Sequence, residues 1–231
     1  MFSGGRLGSA DPAIIIAVRE GVAEVNELIE KAHFETIMAL SEALDAKDSY
    51  TAGHSRRVMQ YSARIAWRMG LGDREFELLK KSALLHDLGK IGVPDAILRK
   101  RDKLSGEEFD VIRAHPGIGA DILKAVESFR ALVPAVYYHH ERFDGRGYPD
   151  GIKGDDIPIL ARIIAVADTF DAMTSNRAYR DAFPTEIALR EIERNKGTQF
   201  DPQVTDAFVS CTKDIVTDIL RDSFMEPEYY L

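Results

Sequence analysis

Apolar residues recur every three or four positions along almost the whole of this 231-residue chain, and no stretch alternates strongly enough to suggest a sheet. That periodicity restricts the chain to an all-α fold, in which each helix buries one stripe against its neighbours. Helical patterns run over 57–69, 74–86, 107–114, 117–126, 129–141, 159–173, 185–195 and 202–224. Ahead of them, Val22, Val25, Leu28, Ile29, Ala32, Ile37, Leu40 and Leu44 trace a long amphipathic helix between Val18 and Ala46. Its stripe has two uses open to it, docking on its own domain or forming the seam of a homodimer. Ser105 with Glu108 three residues on makes a capping box, and Asp201 precedes Pro202 at a first-turn position. The segment 142–158, rich in glycine and aspartate, breaks the pattern and predicts a long structured loop. Long loops inside compact domains usually serve function.

The functions open to such a bundle are narrowed by charge and cysteine content. A net charge of -8 argues against capture of long nucleic acid through its phosphates, while a small phosphorylated ligand needs only local positive charge. The apolar run 13–18 is far shorter than the roughly 20 residues of a membrane span. A single cysteine, Cys211, excludes an internal disulfide framework and points to a reducing compartment, the cytoplasm. It also leaves no cysteine cluster for zinc.

Local positive charge can come from metal ions, and the histidines suggest where. His33 stands apart on the leading helix and is read as an ordinary surface or core residue. His86 and Asp87 emerge from the apolar turn Ala83-Leu84-Leu85, so they need partners, either a buried hydrogen-bonded pair or a metal. Lys90, one turn later, could neutralise an incoming phosphate oxygen. His139 and His140 close an apolar and aromatic run. Adjacent helical residues diverge by about 100°, so the two imidazoles can share an ion only near a helix end or with help from neighbouring segments. Asp168 leaves an apolar helix, where a lone carboxylate would be costly. Imidazole and carboxylate donors without thiolate suit iron, manganese, nickel, cobalt or zinc better than magnesium or calcium. Five imidazoles and two or more carboxylates exceed the needs of one ion. Two ions about 3.5–4 Å apart, bridged by a carboxylate and a hydroxide, would use them all and fit hydrolysis of a phosphate ester.

His86-Asp87 and Gly147-Tyr148-Pro149 are the doublet and triplet of the HD-GYP family, which the chain resembles from about Ala43 through Phe208. The likeness extends over 86–98, 115–123, 139–158, 161–180 and 197–202, a highly specific set of blocks. The resemblance implies an HD-superfamily helical bundle with a long GYP loop, hydrolysing cyclic di-GMP to linear pGpG and onward to GMP. It implies one ion on His54, His86, Asp87 and Asp168, and a second on Asp87, His115, His139 and His140. Iron or manganese is the expected metal. Asp87 would bridge and Lys90 would stabilise building charge. Tyr148, Arg177 and Arg180 would hold the nucleotide, and Asp144 and Asp171 would orient ligand imidazoles. The GYP loop would also dock partners such as diguanylate cyclases. Members with a three-metal centre carry a glutamate where this chain has Tyr50, so two metals are expected.

The expected organisation is a flexible lead over 1–17, an N-terminal amphipathic helix or linker over 18–42, the catalytic domain over 43–224 and a tail over 225–231. No receiver or sensor domain is recognisable in the sequence. Two competing readings are another HD-type nucleotide phosphohydrolase, and a regulatory module that binds a cyclic dinucleotide and acts through partners. The GYP loop and the two arginines count against the first, and the full set of seven ligands counts against the second.

Overall fold

The computed structural model describes residues 12–47, 53–100, 102–176 and 181–222. Tyr50, Arg177, Arg180 and the tail after 222 lie outside the described residues.

Helix α1 spans Pro12–Lys47 without interruption. The boundaries expected at 17/18 and 42/43 are therefore not breaks. Proline lacks only an N–H that a first helical turn leaves unpaired, so Pro12 starts the helix at no cost. The second half of α1 buries Ile37 and Leu44, while Ile14, Val18, Val22, Val25 and Ile29 in the first half are exposed.

Helix α2 (His54–Met69) packs against α1, α3 (Asp73–Leu85), α8 (Ile159–Thr174) and α10 (Pro202–Asp222). Asp45 of α1 accepts from the Ser55 backbone N–H and hydroxyl, at 3.3 and 2.8 Å, fixing the first turn of α2 on its neighbour. In the core, Phe170 of α8 meets Tyr61 and Phe208 edge-on, at ring separations of 5.0 and 4.9 Å. Truncating so buried an aromatic to alanine typically costs about 3–5 kcal/mol.

The other elements are short: α4 (Asp95–Leu98), α5 (Gly106–Arg113), α6 (His115–Lys124), α7 (Val133–Tyr138) and α9 (Thr185–Arg194). The capping box forms, with Ser105 and Glu108 bonding reciprocally at 3.2 and 2.7 Å. The single helix expected over 129–141 divides into a 3₁₀ segment, Glu127–Leu132, and α7. Pro134 is the physical reason, because proline is tolerated in a first turn and not in a helix interior. α7 then ends immediately before the histidine pair.

Gly89 lies in the 3₁₀ segment Leu88–Gly92 that follows Asp87, and a methyl group there would overlap the His115 carbonyl. Only glycine lets the chain after the doublet press against the start of α6. Lys47 secures the same segment from outside, donating to the carbonyls of Lys90, Ile91 and Val93 at 3.1, 2.8 and 2.9 Å. The fold thus delivers several helix ends to one place, where Asp168 arrives from the body of α8.

Candidate metal centre

His54 opens α2, His86 follows the last residue of α3, His115 opens α6, two residues after α5 ends, and His139 follows α7. Three of these imidazoles are held in one way. The Nδ1–H of His86, His115 and His139 donates to the carbonyl three residues back, on Ala83, Ile112 and Val136, at 2.7, 2.7 and 2.6 Å. Carbonyls in the last turn of a helix have no partner within it, so each helix end supplies its own acceptor. His54 is held differently, by the buried Asp171 carboxylate 2.7 Å from Nδ1. Asp171 in turn receives the Arg57 guanidinium at 2.6 and 3.1 Å. In all four rings Nε2 is left to face inward.

Asp87 lies where these nitrogens converge. Its Oδ2 is 3.5 Å from His86 Nε2 and 3.8 Å from His54 Nε2, while Oδ1 is 3.3 Å from His115 Nε2. Asp168, whose side chain keeps 19% exposure, brings Oδ1 to 3.4 Å from His54 Nε2. His115 and His139 approach through Nε2 at 3.3 Å, and the His140 ring lies 4.0 Å from that of His139. One donor atom from each of Asp87, His115, His139 and His140 falls within 4.8 Å of the others, and the same holds for His54, His86 and Asp87. The two groups share Asp87. The adjacent pair His139-His140 meets the condition the sequence set for it, since it sits just past the end of α7.

Burial alone would raise the Asp87 carboxyl, but the Lys90 ammonium, His86 and His115 hold it well below the usual carboxylate range. Lys90 Nζ is 2.6 Å from Asp87 Oδ2. Burial and the neighbouring imidazoles push His139 well below its ordinary value, and enclosure together with His115 pushes His140 down to about 3. Both rings are therefore neutral at physiological pH, with lone pairs for a cation. His54 goes the other way: burial opposes its charge, but Asp171, Asp168 and Asp87 outweigh that and raise it.

Metal ions fit this donor set. His86 Nε2 is buried with no hydrogen-bond partner, a cost that a cation would relieve. The donors are nitrogen and oxygen only, and the imidazoles carry the outer hydrogen bonds that fix a ligand's tautomer.

At the rim, Tyr148 stacks on His140 with ring centroids 4.8 Å apart and planes at 27°. Its loop is clamped by Glu141, which the sequence reading had not singled out. Glu141 Oε1 accepts from the backbone N–H groups of Asp150 and Gly151 at 2.7 and 2.8 Å. Gly147 passes so near Glu141 and Arg142 that a methyl group would overlap their backbone. Asp144 is a correction. Its carboxylate takes the Arg142 guanidinium at 3.1 and 2.8 Å and the Arg146 N–H at 3.1 Å, and it meets no imidazole. Arg142, two residues away, captures it first. The placement of Arg177 and Arg180 lies outside the described residues.

The HD domain family model matches residues 38–204, more than half of the chain. The chain belongs to the HD domain family. The Gly147-Tyr148-Pro149 loop identifies this HD domain as the HD-GYP type, and the all-α bundle expected from the sequence is borne out. Over 190 residues the HD domain is 38% identical to the "Cyclic di-GMP phosphodiesterase response regulator RpfG" of Xanthomonas campestris pv. campestris, covering 81% of this chain and 50% of that protein. It is 42% identical over 176 residues to the "3'3'-cGAMP-specific phosphodiesterase 3" of Vibrio cholerae, covering 76% of this chain and 38% of the relative. The chain thus spans half or less of the length of these curated relatives. Its fold resembles the crystal structure of V-cGAP3, a cyclic GMP-AMP specific phosphodiesterase of V. cholerae, with a TM-score of 0.63. That likeness covers 84% of this chain and 53% of the other at 21% identity, and speaks for the fold alone. Among the described residues no helix is long and apolar enough to cross a membrane.

Proposed function

We propose that this HD domain hydrolyses cyclic di-GMP to linear pGpG, and onward to GMP, with a pair of divalent transition-metal ions held by its seven donors. The observation that carries this reading is the division of Asp87, which turns Oδ2 toward His54 and His86 and Oδ1 toward His115. His54, His86, Asp87 and Asp168 would hold one ion, and Asp87, His115, His139 and His140 the other. Bound iron or manganese would supply Lewis acidity toward the phosphate oxygens and activate water.

The chain's own groups do the rest. His139 and His140 stay neutral and keep their lone pairs, and the outer hydrogen bonds hold each ring in one orientation. Lys90 places an ammonium beside the donors, where charge building on a phosphate oxygen is offset. Tyr148 would help bind the nucleotide from the GYP loop. Arg177 and Arg180 are retained as phosphate- or guanine-binding residues on the family resemblance. We place the protein in the cytoplasm, in keeping with its lone cysteine. We assign self-association to the exposed stripe of α1, and the docking of diguanylate cyclases to the GYP loop.

The test is anaerobic purification, metal analysis and incubation with cyclic di-GMP and 3'3'-cGAMP separately, with products followed by chromatography. The reading expects pGpG and then GMP from cyclic di-GMP. The name of the V. cholerae relative makes 3'3'-cGAMP the second substrate reading, and turnover of that dinucleotide alone would reassign the substrate. Bound metal without turnover of either would favour a binding module.

A further inference from the structure

Arg113 ends α5, two residues before His115, and stands exposed at the rim of the centre. Its guanidinium carbon lies 4.7 Å from the centroid of the Phe109 ring and 5.2 Å from that of Tyr148. Both rings attract the cation through their π faces, which holds the guanidinium between them. Among the described residues no carboxylate or carbonyl accepts a hydrogen bond from it, so its N–H edges stay open. Phe109 is 43% exposed although it is a large apolar side chain, and the guanidinium lies over its ring.

The position matters because Tyr148 also stacks on His140. Centroid distances of 4.8 and 5.2 Å put the guanidinium within about 10 Å of a donor imidazole. That is the reach of one nucleotide whose phosphate sits at the donors. A planar guanidinium there can only donate, and does so through a rigid fork. Guanine presents two acceptors side by side, N7 and O6, whereas adenine presents N7 beside an amino donor.

We infer that Arg113 reads the purine edge of a bound cyclic dinucleotide and selects guanine over adenine. The fork matches guanine and meets the adenine amino group donor to donor. The inference rests on the proposed function, because it needs a cyclic dinucleotide at the centre. It assigns base selection to a residue outside both the metal donors and the GYP triplet.

The test uses the metal-loaded protein and its Arg113→Ala and Arg113→Lys variants, with binding of cyclic di-GMP and cyclic di-AMP measured by calorimetry alongside initial rates. The wild type should prefer cyclic di-GMP. Arg113→Ala should weaken cyclic di-GMP by about 10- to 100-fold and leave cyclic di-AMP nearly unchanged, as expected for losing one bidentate base contact. Arg113→Lys keeps the charge and a donor but not the planar fork, and should retain a reduced preference, between those of wild type and Arg113→Ala. Equal weakening of both ligands in Arg113→Ala, an unchanged ratio, or a wild type that binds both equally overturns the inference while leaving the proposed function intact. A wild type that neither binds nor hydrolyses either dinucleotide overturns the proposed function and this inference together.

Discussion

The imidazoles of the donor cluster are held in two different ways. Around His86, His115 and His139 the outer hydrogen bonds end on main-chain carbonyls, whereas His54 leans on a side-chain network of Asp171, Arg57 and Ser175. A carbonyl is neutral and cannot be mutated away, so it fixes a ring and adds no full charge. A buried carboxylate fixes the ring and raises its proton affinity as well. Asp171, with Asp168 and Asp87, raises His54 against its burial, whereas burial and the neighbouring imidazoles push His139 and His140 down. Main-chain holders make a site rigid and indifferent to substitution, while a side-chain holder makes it adjustable and vulnerable.

The strongest prediction concerns Asp87, the residue both halves share. Asp87→Ala should lose at least about 10³-fold in hydrolysis, because several kcal/mol of transition-state stabilisation depend on the ions it holds. Metal content should fall in both halves. Near-normal turnover by this variant would show that the halves are not joined through it.

Asp171→Asn separates the halves. Loss of an outer-shell carboxylate typically costs 10- to 100-fold in metal affinity, and here the loss should be confined to the His54 side. Competition with a chelator should show one weakened equivalent and one unchanged, and two weakened equivalents would erase the distinction.

The same carboxylate sets a pH dependence in the metal-free protein. Burial alone would raise Asp171, but His54 and Arg57 outweigh it and hold the carboxyl below 3.8. A lowered folded-state value means stability that is full above the unfolded value and is lost as pH falls through the folded one. The stability advantage of wild type over Asp171→Asn in chemical unfolding should therefore shrink as the pH rises above 6.5 and the raised His54 gives up its proton, and should also narrow as the pH drops below 3.8. An advantage that grew as the pH fell below 3.8 would reverse the assigned sign.

The smallest effect is expected at Ile112. Ile112→Val trims a half-buried side chain and keeps the carbonyl that receives His115 Nδ1–H, so stability should fall by no more than about 0.5 kcal/mol, the low end for a buried site, while metal affinity stays put. A clear loss of metal affinity in this variant would mean that the side chain holds the imidazole too.

Much of the bundle was legible because helix periodicity is a local signal, and the elements from α2 to α10 fall within a few residues of their patterns, except the one-turn α4, for which no pattern was read, and the segment interrupted by Pro134. At Pro134 the apolar spacing continued through a residue that cannot donate, and the chemistry of the ring overruled the pattern. His86, Asp87, His139, His140 and Asp168 were legible as polar residues leaving apolar runs, and His54 and His115 through the family resemblance. Their holders were not, because any residue carries a carbonyl and nothing in Ala83, Ile112 or Val136 advertises one in use. Asp144 misled through its nearness to the GYP triplet, when the decisive neighbour was Arg142. Glu141, following the histidine pair, could have been suspected from its place beside two donors, but its partners are backbone groups of a loop whose path only the fold reveals.

The most direct test of the centre is a titration of metal-free protein with iron or manganese under anaerobic conditions, with bound equivalents counted as hydrolysis of cyclic di-GMP is followed. The account predicts two bound equivalents, with turnover appearing only as the second site fills. Hydrolysis at full rate without added metal, or no binding by the intact donor set, would contradict it.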